Sequence, residues 1–201
     1  MSDGSTHVRE HLRSVVDRLG VDGPLPPHYP TCLGCGPDAE QGFHLEVRRE
    51  GAEVVTDHVF APRHSGAPGI AHGGAVATVV DDVRGFLLSL EGIPGVTRML
   101  EVEYVKPVLV GVRYTVRGRV DERDGRKVWV SCSGRDDDGV EAFRATGLFL
   151  EVRLEHFAQA PEAPPVTPPV TPPVTPYARA EPRGPSSAAG RPGARGTRRW
   201  S

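Results

Sequence analysis

Between His72 and Leu90 the chain runs His-Gly-Gly-Ala-Val-Ala-Thr-Val-Val-Asp-Asp-Val-Arg-Gly-Phe-Leu-Leu-Ser-Leu, a helix-length stretch with almost no polar face. A helix that is apolar nearly all round must be buried. A carboxylate buried without a partner is costly, so Asp81 and Asp82 need a reason to stand in it. Whatever else this chain folds into must supply a cover for this one helix.

The residues after the helix provide that cover. Past Gly92 and Pro94 the pattern changes to period two: Leu100, Val102 and Tyr104 alternate with Glu101 and Glu103, and Tyr114, Val116 and Val120 alternate with Arg113, Thr115, Arg117 and Arg119. Asp124-Gly125 reads as a tight turn, Val128, Val130 and Cys132 resume the alternation, and Asp138-Gly139 turns into a last strand through Phe143, Thr146, Leu148 and Leu150. An antiparallel sheet with one apolar face needs something to lie on it. The pattern predicts an α+β architecture in which the sheet wraps around helix 72–90. Upstream, strands are expected at Phe43–Arg48 and Glu53–Phe60, joined at Gly51.

Val8, Leu12, Val15, Val16 and Leu19 fall at helical spacing, with Gly20 as the stop, and predict an amphipathic helix over 6–19. Pro24, Pro26, Pro27 and Pro30 read as an extended linker. After Phe157 the composition changes. Pro165-Val166-Thr167-Pro168 recurs at 169–172 and 173–176, and the rest is Arg set among Gly, Ser and Ala. Such a run is expected to be extended polyproline II with a disordered basic tail after it. The expected division is therefore 1–29, helix and linker; 30–155, the folded domain; and 156–201, the tail.

A net charge of −2 offers no general case for nucleic acid or an acidic membrane. Three cysteines make no disulfide framework, no stretch approaches the ~20 apolar residues of a membrane span, and residues 1–7 do not read as a secretory leader. A cytoplasmic protein is expected.

The motifs Gly69-x-x-His72-Gly73-Gly74, Asp81, Thr97, Tyr104-Val105-Lys106-Pro107-Val108 and Gly125-Arg126-Lys127 leading to Val130-Ser131-Cys132 occur in one order over about 30–155. In that order and spacing they resemble the hotdog-fold acyl-CoA thioesterases, within them the phenylacetate-pathway (PaaI-like) branch. The resemblance implies hydrolysis of an acyl-CoA to a free acid and CoA without metal or organic cofactor. It implies Asp81 as general base or nucleophile, Gly73 N–H as oxyanion donor, His72 as organiser of the turn and Thr97 as a positioning hydroxyl. The chemistry is intelligible on its own terms. The first N–H groups of a helix and its positive dipole end suit an oxyanion, glycines admit a bulky ester, and a carboxylate can activate water.

Gly73 and Asp81 lie about 12 Å apart along a helix rising 1.5 Å per residue, too far for one thioester carbon to meet both in one chain. The family builds its site across a dimer interface, so a homodimer or a dimer of dimers is expected. Gly74, Ser65, Arg98, Lys106, Arg126 and Lys127 are the candidate substrate contacts, the basic ones for CoA phosphates. One departure stands out: many relatives carry Asn or Gln six residues before the histidine, where this chain has Gly66. The alternative reading is a non-catalytic binder of acyl-CoA or aromatic ligands.

Cys32-Leu33-Gly34-Cys35-Gly36 has the spacing of a zinc knuckle, with His28 and His44 as conceivable further ligands. A structural zinc site needs four ligands and usually a second close pair. None is visible in the sequence, so the expectation is a plain turn with buried thiols and no metal. Asp82 is left as an unexplained charge.

Overall fold

The computed structural model describes residues 4–17 and 20–158. The helix that the sequence demands is α2, Gly73–Leu90. Val76, Val79, Val80, Val83, Phe86, Leu87 and Leu88 along it are all buried. Four valines and a threonine weaken the intrinsic case for a helix, so packing and not propensity holds it. It opens at the His72 cap and ends before Gly92, which takes the left-handed conformation at φ 70°.

Around it, among the described residues, stand the strands β1 Gly23–Pro24, β2 Arg48–Glu50, β3 Glu53–Val59, β6 Gly95–Tyr104, β7 Arg113–Asp124, β8 Lys127–Asp136 and β9 Glu141–Glu151. They form a seven-stranded antiparallel sheet in the order β1-β2-β3-β7-β8-β9-β6. A separate hairpin pairs β4, Ser65–Ala67, with β5, Ile70–Ala71. α2 packs on β3, β6, β7 and β8. The α+β arrangement expected from the alternating pattern, a sheet wrapped around one helix, is the one observed, and it is the hotdog fold that the resemblance implies.

The alternation sorts the two faces as the sequence suggests. Tyr114, Val116, Val128, Val130, Ala145 and Phe149 face the core, while Arg113, Arg117, Arg119 and Arg144 lie outside. The outer arginines pair with carboxylates on strands one or two places away, Arg117 with Glu50 and Glu53 and Arg144 with Glu103. Pairs this exposed contribute little each. Inside, glycines make room where neither periodicity nor turn chemistry calls for them. A Cβ at Gly134 would fall within the Phe143 ring, and one at Gly147 would meet the Arg84 guanidinium.

Three features differ from the sequence reading. Phe43–Val47 is not strand: only Arg48–Glu50 pairs with β3, and the turn falls at Gly51 with φ 61°. Leu45 and Val47 are nevertheless buried, because the segment is held by Leu45 N–H to the Gly34 carbonyl and Leu25 N–H to the Val47 carbonyl. The linker also contributes the short edge strand β1, where Pro24 is tolerated because an edge needs no donor there. Third, a short helix α3, Glu155–Ala158, stands where the tail is expected to begin, and the expected N-terminal helix α1, Gly4–Val16, packs on it and on α2. Leu19 and the repeats and arginines of 159–201 lie outside the described residues. Among the described residues no helix is long and apolar enough to cross a membrane.

Two consequences can be measured. Phe143 is fully buried over Gly134, so Phe143→Ala should lower unfolding free energy by about 3–5 kcal/mol. Gly134→Ala, which forces a methyl into the same ring, should cost about 1–3 kcal/mol. Urea titration reads both, and a Gly134→Ala midpoint equal to wild type would contradict the packing described. Second, burial pushes His58 down to about 4, with the nearby His64 and Arg63 adding to the effect. A depressed histidine keeps the fold's preference for the neutral ring intact above ~6.5, the unfolded value. That stability is lost as pH falls from there toward 4. The urea midpoint should therefore drop between pH 7 and pH 5, and drop less in His58→Leu.

Candidate active site

Each proposed catalytic residue is set by its position on α2 or on the strand after it. His72 is the helix cap: its backbone is extended, φ −64° and ψ 135°, and its Nδ1 accepts from the Gly74 N–H at 2.9 Å. This satisfies one of the free amides of the first turn. It also engages the Gly74 amide, so of the two glycines only Gly73 has its N–H left for a ligand among the described residues.

Both glycines have reasons within the chain itself. A Cβ at Gly74 would come within 3.0 Å of His72 Nδ1. One at Gly73 would stand 3.1 Å from the Tyr104 hydroxyl, which donates to the Gly73 carbonyl at 2.7 Å. Tyr104, at the end of β6, thus clamps the helix N-terminus. In the sequence Tyr104 stands out only as part of a motif, and nothing there signals this contact.

Eight residues along, Asp81 is held by two donors on one oxygen. Thr97 Oγ1 donates to Asp81 Oδ1 at 3.0 Å, and Arg84 Nη2 donates to the same oxygen at 3.2 Å. The hydroxyl of Thr97 and the carboxylate of Asp81 are thus brought together, as the resemblance implies. Arg84 is the surprise. Its side chain is fully buried, lies 5.4 Å over the Phe149 ring, and leaves Nε and Nη1 without partners. Burial pulls its pKa below the ordinary arginine value, opposed by Cys132 and Asp81. Asp81 itself remains 43% exposed in its side chain. The carboxylate is thus anchored through one oxygen by a buried cation and a hydroxyl, while the side chain stays half-exposed.

Asp81 and Thr97 border a cavity of about 260 Å³ walled by Leu12 of α1, Leu88, Ile93 and Phe149. They also border a second of about 430 Å³ with Leu33, Ala77 and Leu100. A larger hollow of about 560 Å³ lies on the outer face of the sheet, but its walls are the mutually paired Glu53, Arg117, Glu103 and Arg144. Apolar walls with a few convergent polar groups, among them Asp81, Asp82, Thr97 and His28, fit a ligand site better than a neutralised charged surface.

The remaining candidates do not gather at one point. Ser65 is exposed and donates to the Pro62 carbonyl at 2.8 Å. Arg98 is exposed beside Thr97, at the irregularity in the β6–β9 register. Arg126 and Lys127 lie at the start of β8, two strands from Val96, where the Arg126 Nε donates to the Glu151 carbonyl at 3.0 Å. Lys106 comes after β6 at the opposite end, near Tyr104.

Asp82 also lines both cavities but binds different partners from Asp81. About 100° further round the helix, its side chain is 7% exposed and meets His28 Nδ1 at 3.2 Å and the Cys32 thiol at 3.1 Å. Burial pushes the Asp82 carboxyl up. The His28 imidazole, although burial opposes its charge, is held up to about 9 by hydrogen bonds with Asp82 and Cys32. The bond between the two thiols draws Cys32 down, and the same bond together with burial pushes Cys35 up. His44, the other conceivable ligand, is turned aside to the Gly36 carbonyl at 3.0 Å.

Residues 68–143 match the model of the thioesterase superfamily. The acyl-coenzyme A thioesterase THEM4 of Bos taurus is 32% identical over 117 residues, 57% of this chain and 48% of that protein. THEM5 of Mus musculus is 31% identical over 123 residues, 59% of this chain and 49% of that one. The chain thus spans about half the length of these curated relatives. Among solved structures, a thioesterase superfamily protein aligns with TM-score 0.56 at 26% identity over 58% of each chain. The E. coli PaaI protein of the phenylacetic acid degradation operon shares the fold, with TM-score 0.51 at 10% identity over 73% of this chain and 95% of its own. Sequence motif, sheet topology and these likenesses agree: residues 68–143 are those of the thioesterase superfamily, the surrounding segment is similar to the THEM4 and THEM5 acyl-CoA thioesterases, and the fold is the hotdog fold shared with the PaaI protein.

Proposed function

We propose that this chain hydrolyses an acyl-CoA thioester, with Asp81 as general base and the Gly73 amide as oxyanion donor. The observation that carries the reading is Asp81 itself, a half-exposed carboxylate fixed by Thr97 and buried Arg84 in the lining of a cavity partly walled by Leu12, Leu88, Ile93 and Phe149. The activity named for the THEM4 and THEM5 relatives supports the same class.

In this reaction water attacks the thioester carbonyl while Asp81 takes its proton through Oδ2, since Oδ1 is already engaged by Thr97 and Arg84. The carbonyl oxygen becomes an oxyanion held by the Gly73 N–H at the positive end of α2. The tetrahedral species collapses with cleavage of the C–S bond, and the proton passes to the departing CoA thiolate. His72 acts through the helix start: its Nδ1 takes up the Gly74 amide, so the Gly73 amide is the one offered to substrate. Arg98, Lys106, Arg126 and Lys127 are exposed cations for the CoA phosphates. Ser65, next to Gly66 in the sequence, is the hydroxyl that stands in for the amide side chain absent there.

The helix separates the two halves of this site by about 12 Å, and β6 is an open edge of the sheet with Met99, Tyr104 and Val105 exposed on or beside it. A second copy paired along that edge supplies the missing half, so the active form is a homodimer, alone or within a tetramer.

Asp81→Asn keeps an oxygen for Arg84 and Thr97 and so preserves the buried guanidinium's partner. It should lower kcat for thiol release by about 10²–10⁴-fold with an unchanged circular dichroism spectrum. Gly73→Pro removes one N–H where proline fits the first helical position and the extended His72 backbone tolerates it. The Tyr104 hydroxyl must then yield by a few tenths of an ångström. A kcat loss of about 10²–10³-fold is expected, by analogy with other oxyanion donors. A thiol-release screen across short, medium, long and aryl CoA esters measures both. CoA esters that raise the melting temperature of wild type without any thiol release would point instead to a non-catalytic binder.

A further inference from the structure

The loop between β1 and β2 folds back on α2 and brings His28, Cys32 and Cys35 to Asp82, a residue 47 positions beyond the second cysteine. One ligand-type atom from each of the four lies within 4.8 Å of the other three. His28 Nδ1 is 3.2 Å from Asp82 Oδ1, Cys32 Sγ is 3.1 Å from the same oxygen, and Cys35 Sγ is 3.4 Å from His28 Nδ1. Donors bound at about 2.0–2.3 Å around a tetrahedral zinc stand about 3.3–3.8 Å apart. The observed set has nearly that size.

The surroundings are those of a closed site. The His28 amide donates to Cys35 Sγ at 3.2 Å, a contact that stabilises a bound thiolate. The turn is tied by Gly36 N–H to the Cys32 carbonyl at 2.8 Å and Cys32 N–H to the Tyr29 carbonyl at 3.0 Å. Glycines are required on three sides. A Cβ at Gly34 would collide with the Asp82 carboxyl group, one at Gly36 with the Cys32 backbone, and one at Gly85 would press on His28 at 3.0 Å. The His28 ring lies 3.9 Å from that of Phe86, and Asp82 Oδ2 is buried without a partner. A hydrogen-bond cluster needs none of this convergence. A two-thiolate, one-imidazole, one-carboxylate set is a borderline-soft donor set that suits zinc over magnesium or calcium.

We propose that His28 Nδ1, Cys32 Sγ, Cys35 Sγ and Asp82 Oδ1 bind a zinc ion as a structural site that pins the 24–47 loop to α2. Four protein ligands leave no open position for substrate or water, so the ion takes no part in thioester chemistry. It fixes instead the helical turn that carries Asp81. The expectation of a plain turn rests on a missing second pair of ligands; His28 and Asp82 supply that pair from the two sides of the cysteines.

The test uses the full, reduced chain without a histidine tag. Zinc content by plasma mass spectrometry should be about one per chain after gel filtration. Cobalt in its place should give the thiolate charge-transfer band and the strong visible bands of a tetrahedral site. Cys32→Ser should lose both, and Asp82→Asn should release zinc to a chelator more readily than wild type. Should Cys32→Ser fail to fold, wild type alone decides: its half-buried Cys32 should resist a disulfide reagent while zinc is bound and react once a chelator removes the metal. Reduced wild type that takes up no stoichiometric zinc and no tetrahedral cobalt overturns the proposal. So does a native intact mass showing a Cys32–Cys35 disulfide. Neither readout depends on thioester turnover.

Discussion

Enclosure of α2 is the constraint on which the rest of this structure depends. A helix with seven buried aliphatic and aromatic side chains cannot exist in water by itself. The curled antiparallel sheet gives it a wall, and the sheet in turn has an apolar face only because that helix lies on it. Gly134 and Gly147 show how close the fit is, since the space for a Cβ is already occupied by Phe143 and by Arg84. The charged outer face, with its strand-to-strand arginine pairs, contributes solubility more than stability.

Chemistry enters where this enclosure is incomplete. At the N-terminus of α2 the His72 cap and the Tyr104 hydroxyl fix two glycines against β6. In the middle, two consecutive aspartates leave the helix about 100° apart and meet different surroundings. Asp81 reaches Thr97, Arg84 and a cavity; Asp82 reaches His28 and Cys32 under a loop. On the proposed functions, the first works on substrate and the second holds the scaffold in place. On that proposal the buried Arg84 joins stability to catalysis. It positions Asp81 from below and is itself shut away from solvent, so the carboxylate above it serves the fold as well as the reaction.

Much of this is legible in the sequence because it is written in short-range pattern. Helix 72–90, the four long strands and the turns at Gly51, Gly125 and Gly139 follow from period and from glycines that adopt positive φ. The pairing of Asp81 with Thr97 is reached through motif resemblance. What is not legible is whatever depends on distant partners. The two-residue strands β1 and β5 and the three-residue β4 have no period to detect and exist only through their neighbours. His28 and Asp82 are 54 residues apart, so Cys32-x-x-Cys35 looks like half a site. Arg84 on an apolar face can be read as a pocket residue or as an ion-pair partner, and only the fold puts it under Asp81.

The central claim is that one thioester needs the Gly73 end of one helix and the Asp81 of another. Complementation tests it most directly. Gly73→Pro and Asp81→Asn chains, each inactive alone, are unfolded together, refolded and assayed for thiol release. Random pairing of two such chains makes half the dimers mixed, each with one intact site of two, so about a quarter of wild-type activity should return. No recovery in a mixture shown by native mass spectrometry to contain mixed dimers would place both groups in a single chain's site and contradict the account.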